Sequence, residues 1–315
     1  MTGPGRHVDS EPDLEALFKA LGNEVRIEIL RTLSRASRPL PFTTLQEEVG
    51  IEDSGNFNYH VDRLTGHFID RTDRGYVLCY PGRAVIETVR AGKIASDPEI
   101  PPRRIDLPCP FCGERQEFHY VDETVHLRCT NCTGVVGEPH DVGTLMSYEF
   151  PAAGLRGRTA TDIAAAAHRL YEAEVTAMVG GVCPRCGGIV GHELEVCDDH
   201  DTEGGTICET CHTRYLAWAR YTCVNCSHAR RFPPWFEAFH LPEVVAFFHE
   251  ATGLPRTLPF PKFLADGGTD PRTVTEEVRA IDPLTLAITI GIEDARCTVL
   301  VDENLELTVD ATRVV

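Results

Sequence analysis

The chain is short of lysine. Only Lys19, Lys93 and Lys262 stand among its 30 basic residues, against 48 acidic ones, and the formal net charge over 315 residues is −18. It also lacks any run of about 18 apolar residues, which excludes a membrane-spanning helix. Its opening residues, Met1–Arg6, lead into acidic ones rather than an apolar signal core, so a soluble, cytoplasmic protein is expected. Motifs of catalysis are missing too. There is no H-E-x-x-H, no nucleophile elbow and no phosphate-cradling glycine loop. His119, His126, His140 and His168 are scattered without a spacing that builds a site, and no enzyme is expected.

What is present is enough apolar residue, 42%, for two or three globular domains. A strongly acidic chain ordinarily argues against a nucleic-acid partner. The charge is uneven, however. Residues 1–95 hold 12 basic and 14 acidic side chains, so the remainder carries a net −16. The N-terminal part is close to neutral and stays open to DNA. The acidic, lysine-poor, arginine-retaining composition resembles that of proteins from salt-loving archaea. At about 1 M salt the Debye length is only about 3 Å, and mutual repulsion among carboxylates is weak.

Residues 11–95 carry helical periodicity followed by a hairpin. Leu14, Leu17, Phe18 and Leu21 recur at i, i+3, i+4, i+7, as one buried helical face. Gly22 stops that helix and Asn23 caps a second, with Ile27, Ile29, Leu30 and Leu33 inside. A third starts near Phe42 and ends at Gly50. Asp53 or Ser54 caps a fourth, whose apolar stripe is Phe57, Val61, Leu64 and Phe68. Ile69–Tyr80 alternates around Asp73-Arg74-Gly75, a turn between two strands. A fifth helix is expected from Arg83 to about Lys93.

That order predicts a winged helix-turn-helix. Asn23-Glu24-Val25-Arg26-Ile27-Glu28-Ile29-Leu30-Arg31-Thr32-Leu33 parallels D-P-T-R-L-x-I-L-x-x-L. Ser54-Gly55-Asn56-Phe57-Asn58-Tyr59-His60-Val61-Asp62-Arg63-Leu64 parallels S-x-x-x-S-x-H-L-x-x-L. On these residues the segment resembles the ArsR-type family of repressors. The resemblance implies double-stranded DNA as partner and a homodimer joined through the first and fifth helices. One departure stands out. The helix before the recognition helix has no Cys-x-Cys pair, so arsenic or cadmium sensing by that route is not expected.

With Phe57, Val61, Leu64 and Phe68 inward, Asn56, Asn58, Tyr59, His60 and Arg63 are left on or beside the outer face. Asn reads adenine and Arg reads guanine in the major groove. Ser54 and the first-turn amides suit a phosphate. Arg71 and Arg74 are placed at the wing tip. The bland alternative is a solvated helix face.

Ten of the 13 cysteines form five Cys-x-x-Cys pairs, which in a reducing compartment means metal rather than disulfides. Cys109, Cys112, Cys129 and Cys132, with an alternating Arg115–Arg128 between the pairs, read as a zinc ribbon with one Zn2+. Farther on stand Cys183/Cys186, Cys197/His200, Cys208/Cys211 and Cys223/Cys226. These suit one or two Zn2+, with nested, sequential and interleaved pairings all open. If only one ion binds, Cys183 and Cys186 are expected to hold it, with Cys197 and His200 dropping out into an acidic, solvated loop. Cys208-x-x-Cys211-His212 also matches the c-type haem motif, which is discounted among zinc knuckles. Cys79 and Cys297 are expected to be small buried residues.

The expected fold class is α+β: an N-terminal winged helix-turn-helix, zinc ribbons and a C-terminal antiparallel β meander. The domains are expected at 1–95, a linker at 96–106, a ribbon at 107–136, a strand-helix connector at 137–180, a second cysteine-rich module at 181–230, and a helix plus meander at 231–315. Three meander strands are read, Leu284–Ile292, Cys297–Val301 and Leu305–Val309. The function expected is sequence-specific transcriptional regulation. An adaptor that binds the transcription machinery is the alternative.

Overall fold

Asn23 and Arg26 fix the first angle in the chain. Asn23 ends α1 (Leu14–Leu21) and caps α2 (Glu24–Arg35), its side chain accepting from the Arg26 N–H. The buried Arg26 guanidinium then donates to the carbonyls of Ala20 and Lys19, orphans at the end of α1. Gly50, at φ 79°, closes α3 (Phe42–Val49). Asp53 caps α4 (Ser54–Leu64), and β1 (Ile69–Thr72) pairs antiparallel with β2 (Gly75–Leu78). Gly75 is obligatory here: at φ 130° a Cβ would lie 2.2 Å from the Leu40 carbonyl oxygen. That close approach lets Leu40 bridge Tyr76. α5 runs Tyr80–Arg90, with Pro81 in its first turn.

A computed structural model describes residues 14–92, 98–202, 206–253 and 274–313, and divides the chain into two units, 1–96 and 97–315. Met1–Arg6, Lys93 and the first residues of the expected linker lie outside the described residues. In the first unit Ile29, Leu30, Leu45, Phe57, Val61 and Leu64 form the centre of one core. The expected buried face of α1 is corrected in part. Leu17 and Leu21 pack on this core, while Leu14 and Phe18 remain 60% and 71% exposed. A helix of eight residues has only one flank against its unit.

The second unit contains three antiparallel sheets. In the first, β3 (Ile100–Pro108), β4 (Arg115–Val121), β5 (Thr124–Cys129) and β6 (Thr144–Glu149) lie in sequence order. Residues 100–106, read as linker, are therefore strand. Pro101 and Pro102 are tolerated because β3 is an edge. α6 (Ala160–Val179) starts with a Thr159–Asp162 capping box. Its Ile163, Ala164 and Ala167 face the core of the first sheet, and its Val175 and Met178 a second core.

That second core joins β7 (Val190–Val196), β8 (Ala217–Cys223) and β9 (Ala229–Phe232) to α7 (Trp235–Ala238) and α8 (Pro242–Thr252). It continues into a meander of β10 (Val274–Ile281), β11 (Leu284–Ile292), β12 (Ala295–Asp302) and β13 (Leu307–Arg313). The α+β class and the meander are as expected. The boundary near residue 230 is not a core boundary, because Trp218, Trp235, Phe247, Ile288 and Val299 share one apolar cluster. The meander has four strands, not three. β10 was missed because Glu276 interrupts its inward alternation. That carboxylate accepts the Leu216 N–H at 2.6 Å, closing the start of β8.

Glu237 in α7 is the other buried carboxylate of this core. Burial pushes it up to about 7, although the Tyr221 hydroxyl donates to it at 2.8 Å. A carboxyl whose folded value is raised favours the folded state when protonated, so stability falls as pH rises from the ordinary carboxylate range through about 7. Burial raises Glu276 to about 7 as well, so urea melts across that window should show this decline, Glu237→Gln should lessen its slope, and Glu237→Gln with Glu276→Gln should flatten it; a slope that Glu237→Gln leaves unchanged would remove Glu237 as a source.

Candidate metal centres and nucleic-acid face

Four of the cysteine knuckles share one backbone turn. In each, the residue four places after the first cysteine takes a positive φ: Gly113 (76°), Gly187 (70°), His212 (54°) and Ser227 (56°). Each of these residues donates its N–H to the carbonyl of the first cysteine. That cysteine donates in turn to the carbonyl of the next residue, Glu114, Gly188, Thr213 or His228. The turn folds both sulfurs of a pair to one side. His212 is thereby assigned a main-chain role, which accounts for the haem-like Cys-x-x-Cys-His without haem.

The turns assemble three clusters: Cys109, Cys112, Cys129 and Cys132; Cys183, Cys186, Cys223 and Cys226; and Cys197, His200, Cys208 and Cys211. Donor atoms within each lie no more than 4.8 Å apart. The pairing in the second cysteine-rich module is nested. The β7–β8 ladder runs from Val190↔Cys223 to Val196↔Ala217, which puts the outer cluster at one end and the inner cluster at the other. Measured contacts are Cys109–Cys132 3.6 Å, Cys112–Cys129 3.5 Å, Cys183–Cys226 3.7 Å, Cys186–Cys223 3.5 Å and Cys211 Sγ–His200 Nδ1 3.4 Å. A tetrahedron with metal–sulfur bonds of about 2.3 Å has edges of about 3.8 Å. All three sets fit a tetrahedral, thiolate-binding ion such as zinc. Four protein donors would close the coordination sphere of each.

The electrostatics agree. Backbone N–H groups, led by that of Cys226, draw the Cys223 thiol down to about 6. Burial opposes ionisation of Cys208, yet the N–H groups of Cys211, Asp201 and Thr210 bring it to about 6. Their neighbours go the other way. The Gly188 N–H favours the Cys186 thiolate, but Cys223 and Cys226 push the thiol up to about 12, while burial raises Cys197 to about 11. Each crowded set thus holds one thiol drawn down and another raised, Cys112 against Cys132 in the first. A divalent cation is the group that releases the remaining protons.

Residues that the spacing did not flag complete the frame. Asn131 and Asn225, each preceding the second cysteine of its pair, donate backbone N–H to Cys129 and Cys223 sulfur at 3.3 and 3.4 Å. Arg214 leaves the inner cluster for the first one. It donates to the Gly134 carbonyl at 2.8 Å and lies over the Phe111 ring at 4.1 Å. The repeated Cys-x-Asn-Cys was readable in the sequence; nothing around Arg214 was. Cys297 is buried as expected. Cys79 is not: it precedes α5, partly exposed, with its sulfur 3.1 Å from the His67 carbonyl.

In the first unit α4 buries Phe57, Val61 and Leu64 and exposes Asn56, Asn58, Tyr59 and Arg63. Asn58 donates to Asp62 at 2.9 Å, and the Arg63 guanidinium lies 5.3 Å from the Tyr59 ring centre. Arg71 and Arg74 are exposed on and beside β1. Two expected contacts are corrected. His60 is buried, and burial together with Arg26 lowers its pKa, so it is a neutral core residue. The first turn of α4 is filled by the chain's own anion. Asp53 accepts from the Gly55 and Asn56 N–H groups, and the Ser54 hydroxyl is engaged with Gln46. No phosphate cradle is left there.

A Cβ on Gly187 meets nothing within 4 Å, so Gly187→Ala carries only the left-handed backbone cost, about 1–2 kcal/mol. It should lower the Tm and hasten metal loss to a chelator, with Gly187→Asn largely sparing both. Equal behaviour of the two variants would contradict the turn.

A family described as Domain of unknown function (DUF7351) matches residues 106–307, and a second, described as Domain of unknown function (DUF7347), matches residues 14–89. No curated protein and no solved structure matches the chain. Since the first match spans more than half of the sequence, the chain belongs to the DUF7351 family.

Proposed function

We propose that the chain is a sequence-specific DNA-binding transcriptional regulator. Its first unit is read as an ArsR-like winged helix-turn-helix in which α4 enters the major groove and the β1–β2 hairpin is the wing. The observation that carries this is the division of α4: three fully buried apolar residues on one side, and Asn56, Asn58, Tyr59 and Arg63 exposed on the other. Such a helix fits a groove about 12 Å wide, and amide and guanidinium groups match base edges there. Support comes also from Arg71 and Arg74, placed where a wing meets phosphate, and from the near-neutral charge of residues 1–95.

The three clusters are assigned one Zn2+ each, in closed structural sites of a cytoplasmic protein. The working form is a homodimer. Leu14 and Phe18 on α1 and Tyr80 on α5 are 60%, 71% and 77% exposed, an apolar set that a second copy would cover.

Native mass spectrometry should give three zinc ions per chain. Footprinting on its own promoter region in molar KCl should show a protected site. Combined Asn56→Ala, Asn58→Ala and Arg63→Ala should abolish it, at about 1–3 kcal/mol per lost base contact. Unaltered sequence preference in that variant would overturn the assignment of α4. Phe18→Glu should yield monomers and weaken binding; a variant that stays dimeric would displace the interface from α1. Association only through co-purified polymerase would instead support an adaptor, for which the net −16 outside the first domain speaks.

A further inference from the structure

The second unit holds a partly open cavity of about 280 Å³ that none of the metal centres uses. Its walls come from several places that the fold brings together, Tyr171 of α6 and the Val135–Val136 segment among them. The first knuckle supplies Phe111, β6 supplies Met146 and Tyr148, the segment from the inner cluster into β8 supplies Tyr215 and Trp218, and the β9–α7 corner supplies Trp235. The rings touch one another around the space. Tyr215 and Trp235 have centroids 5.3 Å apart, and Tyr148 and Tyr171 5.2 Å. The size and the apolar, aromatic lining are those of small-molecule sites rather than of packing faults.

The charge of the wall narrows the ligand. In a chain with 48 acidic residues, no carboxylate among the described residues lines this cavity, and Arg231 is the one Lys or Arg among them that does. Arg231 is held in place. Its Nε donates to Glu195 at 2.8 Å, and its guanidinium lies 4.4 Å from the Trp218 ring centre. Glu195 also accepts from Arg220 at 2.6 Å, and Arg220 pairs in turn with Glu193 at 3.2 Å, so a network of two guanidiniums and two carboxylates fixes Arg231 from outside the cavity lining. A fixed guanidinium beside aromatic walls recognises a planar apolar body carrying one anionic group.

We infer that this cavity binds a small aromatic carboxylate, its ring between the aromatic walls and its carboxylate on Arg231. This goes beyond DNA recognition and stands without it.

The protein carries its own reporter. Its two tryptophans, Trp218 and Trp235, both line the cavity, so emission from the intact chain reads this site. The metal-loaded full-length protein is titrated with 3-phenylpropionate and with its neutral counterpart 3-phenylpropionamide, following emission and heat. Both should saturate at one per chain, the carboxylate about tenfold tighter, the factor expected of one charge-assisted contact. Arg231→Leu should bring the carboxylate down to the affinity of the amide while leaving the amide unchanged. Structural damage would instead weaken both alike, so the amide serves as the internal control. Val135→Phe, which fills the cavity from its wall, should abolish binding of both with metal content retained. Absence of saturable binding by either probe, or binding that survives Val135→Phe, overturns the site. Equal affinity for the two probes in the unaltered protein, or equal losses in Arg231→Leu, overturns the anionic ligand.

Discussion

Thiolates drawn within 4.8 Å of one another repel, and the second unit is arranged around three such sets, two of four sulfurs and one of three sulfurs with an imidazole. In each cluster backbone N–H groups help draw one thiol down, Cys112, Cys223 or Cys208, while burial or neighbouring sulfur raises another, Cys132, Cys186 or Cys197. A cation at the centre of each would relieve that repulsion and would couple folding to metal binding.

The clusters are also spliced to each other. Arg214 ties the inner cluster to the first by hydrogen bonds to Gly134 and Thr133 and by its position over Phe111. Val136 bridges Thr213, and the Gly137 N–H reaches the His212 carbonyl. On the other side, Arg230 pairs with Glu174 of α6 and Glu149 of β6. The aromatic cavity is the space these braces enclose. Its shape therefore depends on the clusters being intact, and among the described residues its wall carries one arginine and no carboxylate in an otherwise acidic molecule.

The first unit was legible in the sequence almost element by element, because its contacts are local. Asn23, Asp53 and Gly50 act on their own helix ends, and the Phe57, Val61 and Leu64 stripe needs only helical periodicity to be seen. His60 was misplaced for the same reason. Periodicity ranks it as a flank residue, and only packing beside Arg26 shows it to be core. The phosphate role for Ser54 failed because Asp53 occupies the amides one residue away. In the second unit β3 hid behind two prolines and β10 behind Glu276, each acceptable only because of what lies next to it in space.

The sequence alone marked the candidate ligands, ten of them in Cys-x-x-Cys pairs whose spacing announces metal chemistry and Cys197 and His200 left open, and the polar flank of α4. Which cysteine shares an ion with which was beyond it. Nested and sequential pairings put the same residues in the same order, and the choice falls to the β7–β8 register, which brings Cys223 beside Val190. The cavity was equally invisible, since its walls are separated by more than a hundred residues and become neighbours only when α6 has packed against both cores.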